Sequence, residues 1–202
     1  MPLDTPTPLD DQEEWARLID GLDHAAILVA IRHMMSERVA ALFMPEDVWQ
    51  ETLAMAWAER SRQEWQGRRK YRALLLQMAR NRVRDAADQA SALKRGGGRR
   101  TDPFSVLVKG VDGSPSSFLP GRSSTPSRAA HVREQAARIE SALRSLPEDL
   151  RSVVRLRLLE EEPMQSVAKR LGIAKSTAQQ RLLRGAKLFR EQLAEAVTRE
   201  QG

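Results

Sequence analysis

Residues 146–193 read LPEDLRSVVRLRLLEEEPMQSVAKRLGIAKSTAQQRLLRGAKLFREQL, and the order of start, stop and apolar signals in this stretch decides the fold. Pro147 fixes φ at a helix start, and Glu148 and Asp149 place negative charge beside the N-terminal dipole. The apolar run Val153, Val154, Leu156 and Leu158 then predicts a helix ending near Leu159. Pro163 permits a fresh start. Val167, Ala168 and Leu171 give one buried stripe, and Gly172 supplies the left-handed residue that a sharp turn needs. On the third helix Ala178, Leu182, Phe189 and Leu193 recur near multiples of a helical turn and face a core. Ser176, Gln180, Arg184 and Lys187 remain on the opposite face.

Helix, helix, tight turn and a helix with a polar, basic face is the layout of a helix-turn-helix DNA reader. The residue types suit a groove: arginine bridges two acceptors on guanine, glutamine pairs with adenine, and lysine neutralises phosphate. The alternative is the solvated face of an ordinary helical hairpin.

Length and composition bound the remaining classes. A chain of 202 residues accommodates one or two domains. No apolar run approaches the roughly 20 residues of a membrane span, and the acidic start does not read as a signal peptide, so a cytoplasmic location without membrane attachment is expected. The absence of cysteine excludes disulfides and thiolate metal sites. His24, His33 and His131 lack ligand or triad spacing, and no metal or cofactor is expected. Glu160, Glu161 and Glu162 are consecutive, point in different directions and read as a solvated acidic turn rather than a metal cage. An enzyme, for instance a nuclease, would need such a cage or a nucleophile with its base.

Charge is segregated along the chain. Residues 1–59 hold 3 basic and 12 acidic side chains, a net charge of −9, whereas residues 60–100 hold 13 basic and 3 acidic, a net charge of +10. Such polarity predicts one surface that meets phosphate and another that avoids it and meets a basic protein.

The expected architecture is all-α: two small helical domains, residues 10–95 and 132–198, joined by a Gly/Pro/Ser-rich basic linker over 96–131. In the first domain Trp15, Leu18, Ile19 and Leu22 begin the apolar pattern, and a second helix spans His24 to Met35. A third starts at Pro45, where Val48, Trp49, Thr52, Leu53, Ala56 and Trp57 form a stripe that leaves Asp47, Gln50, Glu51 and Ala54 outside. A loop over 63–70 carries Trp65, Gly67, Arg68, Arg69 and Lys70. The fourth helix, from Tyr71 to about Lys94, is expected to bury Leu74, Leu75, Met78, Ala79 and Val83 and to expose Arg80, Asn81 and Arg84.

Three stretches carry a family resemblance. Residues 45–53, PEDVWQETL, with Ala56 and Trp57 resemble the EDVVQETF…AW helix in region 2 of bacterial RNA polymerase sigma factors of the extracytoplasmic-function type, in the sigma-70 family. Residues 71–81, YRALLLQMARN, with Asp85 are similar to that family's F-x-x-W-L-x-x-I-A-R-N-x-x-x-D helix. Leu146-Pro147-Glu148, Val167-Ala168, Leu171-Gly172-Ile173, Thr177, Arg181-Leu182 and Arg184 resemble region 4, LPE…IAxxLGIxxxTVKSRLxRA.

The resemblance implies a non-enzymatic factor that binds core RNA polymerase, through its clamp helices and flap, and promoter DNA, with an anti-sigma protein as a further candidate partner. Asp47, Gln50 and Glu51 would meet the clamp helices. Arg68, Arg69, Lys70, Arg80, Asn81, Arg82 and Arg84 would meet the −10 element, with Asn81 at the position that contacts a base drawn from the stack and the cations on phosphates. Lys175, Ser176, Thr177, Gln179, Gln180, Arg181, Arg184 and Lys187 would lie in the major groove of the −35 element. The sequence departs from the pattern at several points. Leu74 stands for a usual tryptophan, and Glu161 and Pro163 stand for a glycine and a serine. Ala174 stands for a capping serine, for which Ser176 with Gln179 would substitute if the helix began later. A stand-alone helix-turn-helix regulator explains the C-terminal reader but not the motifs at 45–85.

Overall fold

A computed structural model describes residues 7–94 and 126–200. The architecture is all-α, with no strand among the described residues. The described residues divide by their contacts into two units, 7–23 with 31–94 and 24–30 with 126–200.

The first unit contains α1 (Gln12–Asp20), α3 (Glu37–Ala40), α4 (Pro45–Ala58), a 3-10 turn (Arg60–Arg62) and α5 (Arg68–Lys94). It shares α2 (His24–Met34) with the second unit. Caps set the starts. Asp11 accepts from the Glu14 N–H (2.9 Å), Ser36 caps α3, and Pro45 opens α4 while Asp47 Oδ2 accepts the Met44 N–H at 3.0 Å. In α4 Val48, Trp49, Thr52, Leu53 and Ala56 are buried, and the Thr52 hydroxyl donates to the Val48 carbonyl (2.7 Å). Buried Trp15 joins α1 to α4 and α5: its ring lies 5.1 Å from Trp57, and its indole N–H donates to Tyr71 Oη at 2.8 Å. Burial pushes the Tyr71 hydroxyl's pKa up, the Trp15 hydrogen bond acting against it.

Two expectations for α5 are corrected. It begins at Arg68 rather than Tyr71, because Gly67 (φ 92) turns the chain and its carbonyl accepts the Tyr71 N–H (3.0 Å). Arg68, Arg69 and Lys70 therefore form a first helical turn. Leu74 is exposed and Leu76 is buried in its place. At about 100° per residue the stripe through Tyr71, Leu75, Ala79 and Ala86 passes nearer Leu76 than Leu74.

The second unit contains α6 (Pro126–Arg144), α7 (Glu148–Val154), a π-helical turn (Arg155–Leu159), α8 (Met164–Leu171) and α9 (Lys175–Glu200). Val153, Leu156 and Val167 form its buried centre, with Met164, Leu171, Ile173 and Leu182 packed around them. Gly172 (φ 64) closes α8, with the Ile173 N–H donating to the Ala168 carbonyl (3.1 Å). Residues 96–125 of the expected linker lie outside the described residues, and α6 takes up its last six positions.

The acidic turn is not solvated. Glu160 is fully buried, and its carboxylate accepts from Arg155 Nη1 (2.7 Å) and Arg170 Nη1 (3.5 Å); Glu162, nearly buried, accepts from the same Arg170 nitrogen (2.5 Å). The π-turn, and Glu161 in a left-handed conformation (φ 52), bring residues 160 and 162 to the same guanidinium. A buried carboxylate persists because it is paired.

Candidate nucleic-acid interface

The reader in the second unit is α8, the Gly172 turn and α9. Helix α9 starts at Lys175: the Ala178 N–H donates to the Ala174 carbonyl at 3.0 Å, so Ala174 occupies the cap and the later start at Ser176 is not adopted. Ala178, Gly185 and Phe189 face the core. Gly185 is a close-packing position, since a Cβ there would lie 2.6 Å from Val154 Cγ2 and 3.3 Å from Leu150 Cβ.

At about 100° per residue, Ser176, Gln179, Gln180, Arg184 and Lys187 fall on one arc of α9 away from that core. All five are exposed, and none makes a side-chain hydrogen bond or ion pair among the described residues. Lys175 is exposed at the start of the helix and Thr177 is half-buried. Arg181 sits apart from the arc. It lies on the flank, where its Nε is 3.3 Å from Asp149 Oδ2, tying α9 to the first turn of α7. One exposed residue on the arc, Leu183, was not singled out in the sequence, although its spacing of four residues from both Gln179 and Lys187 puts it between them.

In the first unit, the outward side of α5 gathers Lys70, Asn81 and Arg84, whereas Arg80, expected to be exposed, is half-buried at the edge of that side with its Nε buried. Lys70 Nζ donates to Gln66 Oε1 (2.8 Å), Arg80 Nη1 donates to Gln77 Oε1 (3.0 Å), and the Gln77 amide donates to Asn81 Oδ1 (3.4 Å). From Lys70 to Arg84 the axis runs about 21 Å. Arg68 and Arg69 extend the cationic surface at the first turn, with the Arg68 guanidinium laid so close over Gly21 that a Cβ there would meet Nη2 at 1.8 Å.

Arg82 does not join this surface. It falls on the buried stripe of α5, between Met78 and Leu75 on the helical wheel. Its Nε (3.0 Å) and Nη2 (2.5 Å) both donate to Glu51 Oε2 on α4, and its Nη1 donates to Asp85 Oδ2 (3.2 Å). The Arg82 and Glu51 side chains are only 10% and 16% exposed. One residue expected on DNA and one expected on polymerase are thus paired with each other inside the unit. Of the other two polymerase candidates, Asp47 is exposed but engaged as the α4 cap, and Gln50 is half-buried.

Among the described residues no cluster of three or more His, Cys, Asp or Glu side chains is arranged to hold a metal, and no helix is long and apolar enough to cross a membrane. Residues 136–188 match the family model described as Sigma-70, region 4, which spans the end of α6, α7, α8 and the reading portion of α9. No curated protein matches the chain.

Proposed function

We propose that the protein is a sigma factor of the extracytoplasmic-function type, which binds core RNA polymerase in the cytoplasm and directs it to promoters. The observation that carries this reading is the unengaged polar and basic arc of α9, presented by a Gly172 turn inside the segment that matches Sigma-70, region 4. On this reading Lys175, Ser176, Gln179, Gln180, Arg184 and Lys187 meet the −35 duplex, and Arg181 positions the helix through Asp149.

In the first unit, Arg68, Arg69, Lys70, Arg80, Asn81 and Arg84 take the −10 strand. Drawing a base from the stack costs a few kcal/mol, and a factor that hydrolyses nothing recovers it by holding the base and the backbone. Asn81 offers both a donor and an acceptor to such a base. The α4 surface around Asp47 and Gln50 meets the polymerase, with Glu51 held back as the partner of Arg82.

Run-off transcription tests the proposal, using purified bacterial core RNA polymerase, the full chain and DNA from upstream of its own gene. A discrete transcript that requires the chain is expected, together with co-elution of chain and core enzyme in gel filtration. A match confined to residues 136–188 also fits a stand-alone helix-turn-helix regulator. Binding to duplex DNA without any binding to core enzyme would select that second reading.

A further inference from the structure

Leu183 is 75% exposed, more than any other large apolar side chain among the described residues. It is not a frayed edge of the core. At about 100° per residue it lies nearly opposite Gly185 and Ala178, which pack inward, and between Gln179 and Lys187 on the outward arc. Ser176, Gln179 and Arg184 flank it there, all exposed and unengaged among the described residues. An isobutyl group is therefore displayed in the middle of a face whose other members are amides, a hydroxyl and cations.

A protein partner matched to this face would meet one leucine among polar groups, whereas protein-binding patches are contiguous apolar areas. The major groove of duplex DNA offers the mixture that the arc displays. It has acceptors and donors on base edges, phosphates on both walls and, at each thymine, an apolar C5-methyl group. We infer that Leu183 is a specificity-determining residue that reads thymine in the −35 duplex by packing against its C5-methyl group. The inference rests on the region 4 reading proposed above and adds to it a residue and the chemical feature it recognises.

The test uses holoenzyme formed from core polymerase and the full chain, and a duplex pool randomised across the −35 window. The pool is prepared once with thymidine and once with deoxyuridine, which keeps every base-pairing group and removes only the methyl. Wild type is expected to enrich thymine at a defined position and to lose about fourfold of that preference in the deoxyuridine pool, equivalent to about 0.8 kcal/mol for one buried methyl. Leu183→Ser is expected to lose the preference at that position alone and to be indifferent to deoxyuridine, while Leu183→Met retains it. Because the side chain is exposed, neither substitution disturbs the core. Enrichment of the same thymines by Leu183→Ser, or wild-type indifference to deoxyuridine at every position, would overturn the inference and leave the region 4 reading standing. Failure of wild-type holoenzyme to enrich any sequence would overturn that reading, and the inference with it.

Discussion

The pairing of Arg82 with Glu51 separates two accounts of α5 that residue type alone does not distinguish. If Arg82 braces α5 against α4, replacing either partner by methionine strands a mostly desolvated charge. Full burial would put that cost at about 3–5 kcal/mol, and the 10% and 16% exposure of the two side chains lowers it to about 2 kcal/mol. The double replacement removes both charges and should cost about the same as either single one, so the cycle yields a coupling energy of about 2 kcal/mol. All four tryptophans, Trp15, Trp49, Trp57 and Trp65, lie in the first unit, so urea unfolding followed by tryptophan fluorescence reports on that unit alone. A second readout is the salt dependence of binding to a single-stranded oligonucleotide. Losing a phosphate contact reduces the slope of log K against log salt by about 0.7, so Arg84→Met should reduce it by that amount and Arg82→Met should leave it unchanged. A coupling energy under about 0.5 kcal/mol, or equal slope losses for the two arginines, would refute the brace and return Arg82 to the nucleic-acid surface.

Three further outcomes follow from local geometry. Tyr71→Phe removes the acceptor of the buried Trp15 N–H and should destabilise the first unit by about 1–3 kcal/mol. Because burial raises the Tyr71 pKa in the folded state, its stabilising contribution is complete below the unfolded value of about 10 and is lost as pH rises through the folded value. That alkaline loss should vanish in Tyr71→Phe when unfolding is followed by fluorescence across pH. Glu161→Gly relieves a left-handed conformation costing about 1–2 kcal/mol, offset by about 0.5–1 kcal/mol of glycine's extra unfolded-state freedom, so the second unit should gain about 0.5–1 kcal/mol; calorimetry showing a lower melting temperature would contradict it. Gly185→Ala gains about 1 kcal/mol of helix propensity but forces a methyl to within 2.6 Å of Val154 Cγ2, an overpacking cost of about 1–3 kcal/mol, and thermal melts followed by circular dichroism should show a net loss of about 1 kcal/mol.

What was legible in the sequence is what local rules control. Pro147, Pro163 and Gly172 punctuate the reader because each acts on its own φ, and the 3.6-residue period of Ala178, Leu182 and Phe189 fixes which side of α9 is buried whatever the partner helix. Contacts made across helices were less legible. Arg82 was grouped with Arg80 and Arg84 by residue type, although its period places it beside Met78 and Leu75, and only Glu51 approaching from α4 makes that position tolerable for a charge. The three consecutive glutamates point apart on a regular helix, and it takes the π-turn and the left-handed Glu161 to bring two of them to Arg170. Leu183 is illegible for the complementary reason: an apolar residue on the outer side breaks the binary pattern, and departures from that pattern are where recognition residues tend to lie.

The charge segregation of the chain takes a physical form in the first unit. The acidic segment supplies α1 and α4 and the basic segment supplies α5, so packing α4 on α5 brings opposite charges together without placing them at random. Complete neutralisation across that contact would leave no cationic surface. Instead the period of α5 turns Arg82 inward to Glu51 and keeps Lys70 and Arg84 on the outward side, while Asp47 is held at the α4 cap. One buried pair fixes the two helices in register, and the remaining cations keep their charge available to a polyanion. A chain of the same composition with Leu74 and Arg82 exchanged would move the cation to an exposed position off the α4 contact and put an aliphatic group opposite Glu51. It should lose stability of the same order as the Glu51–Arg82 coupling without gaining or losing net charge, which identifies the position of the arginine, rather than the sum of charges, as what holds this surface in place.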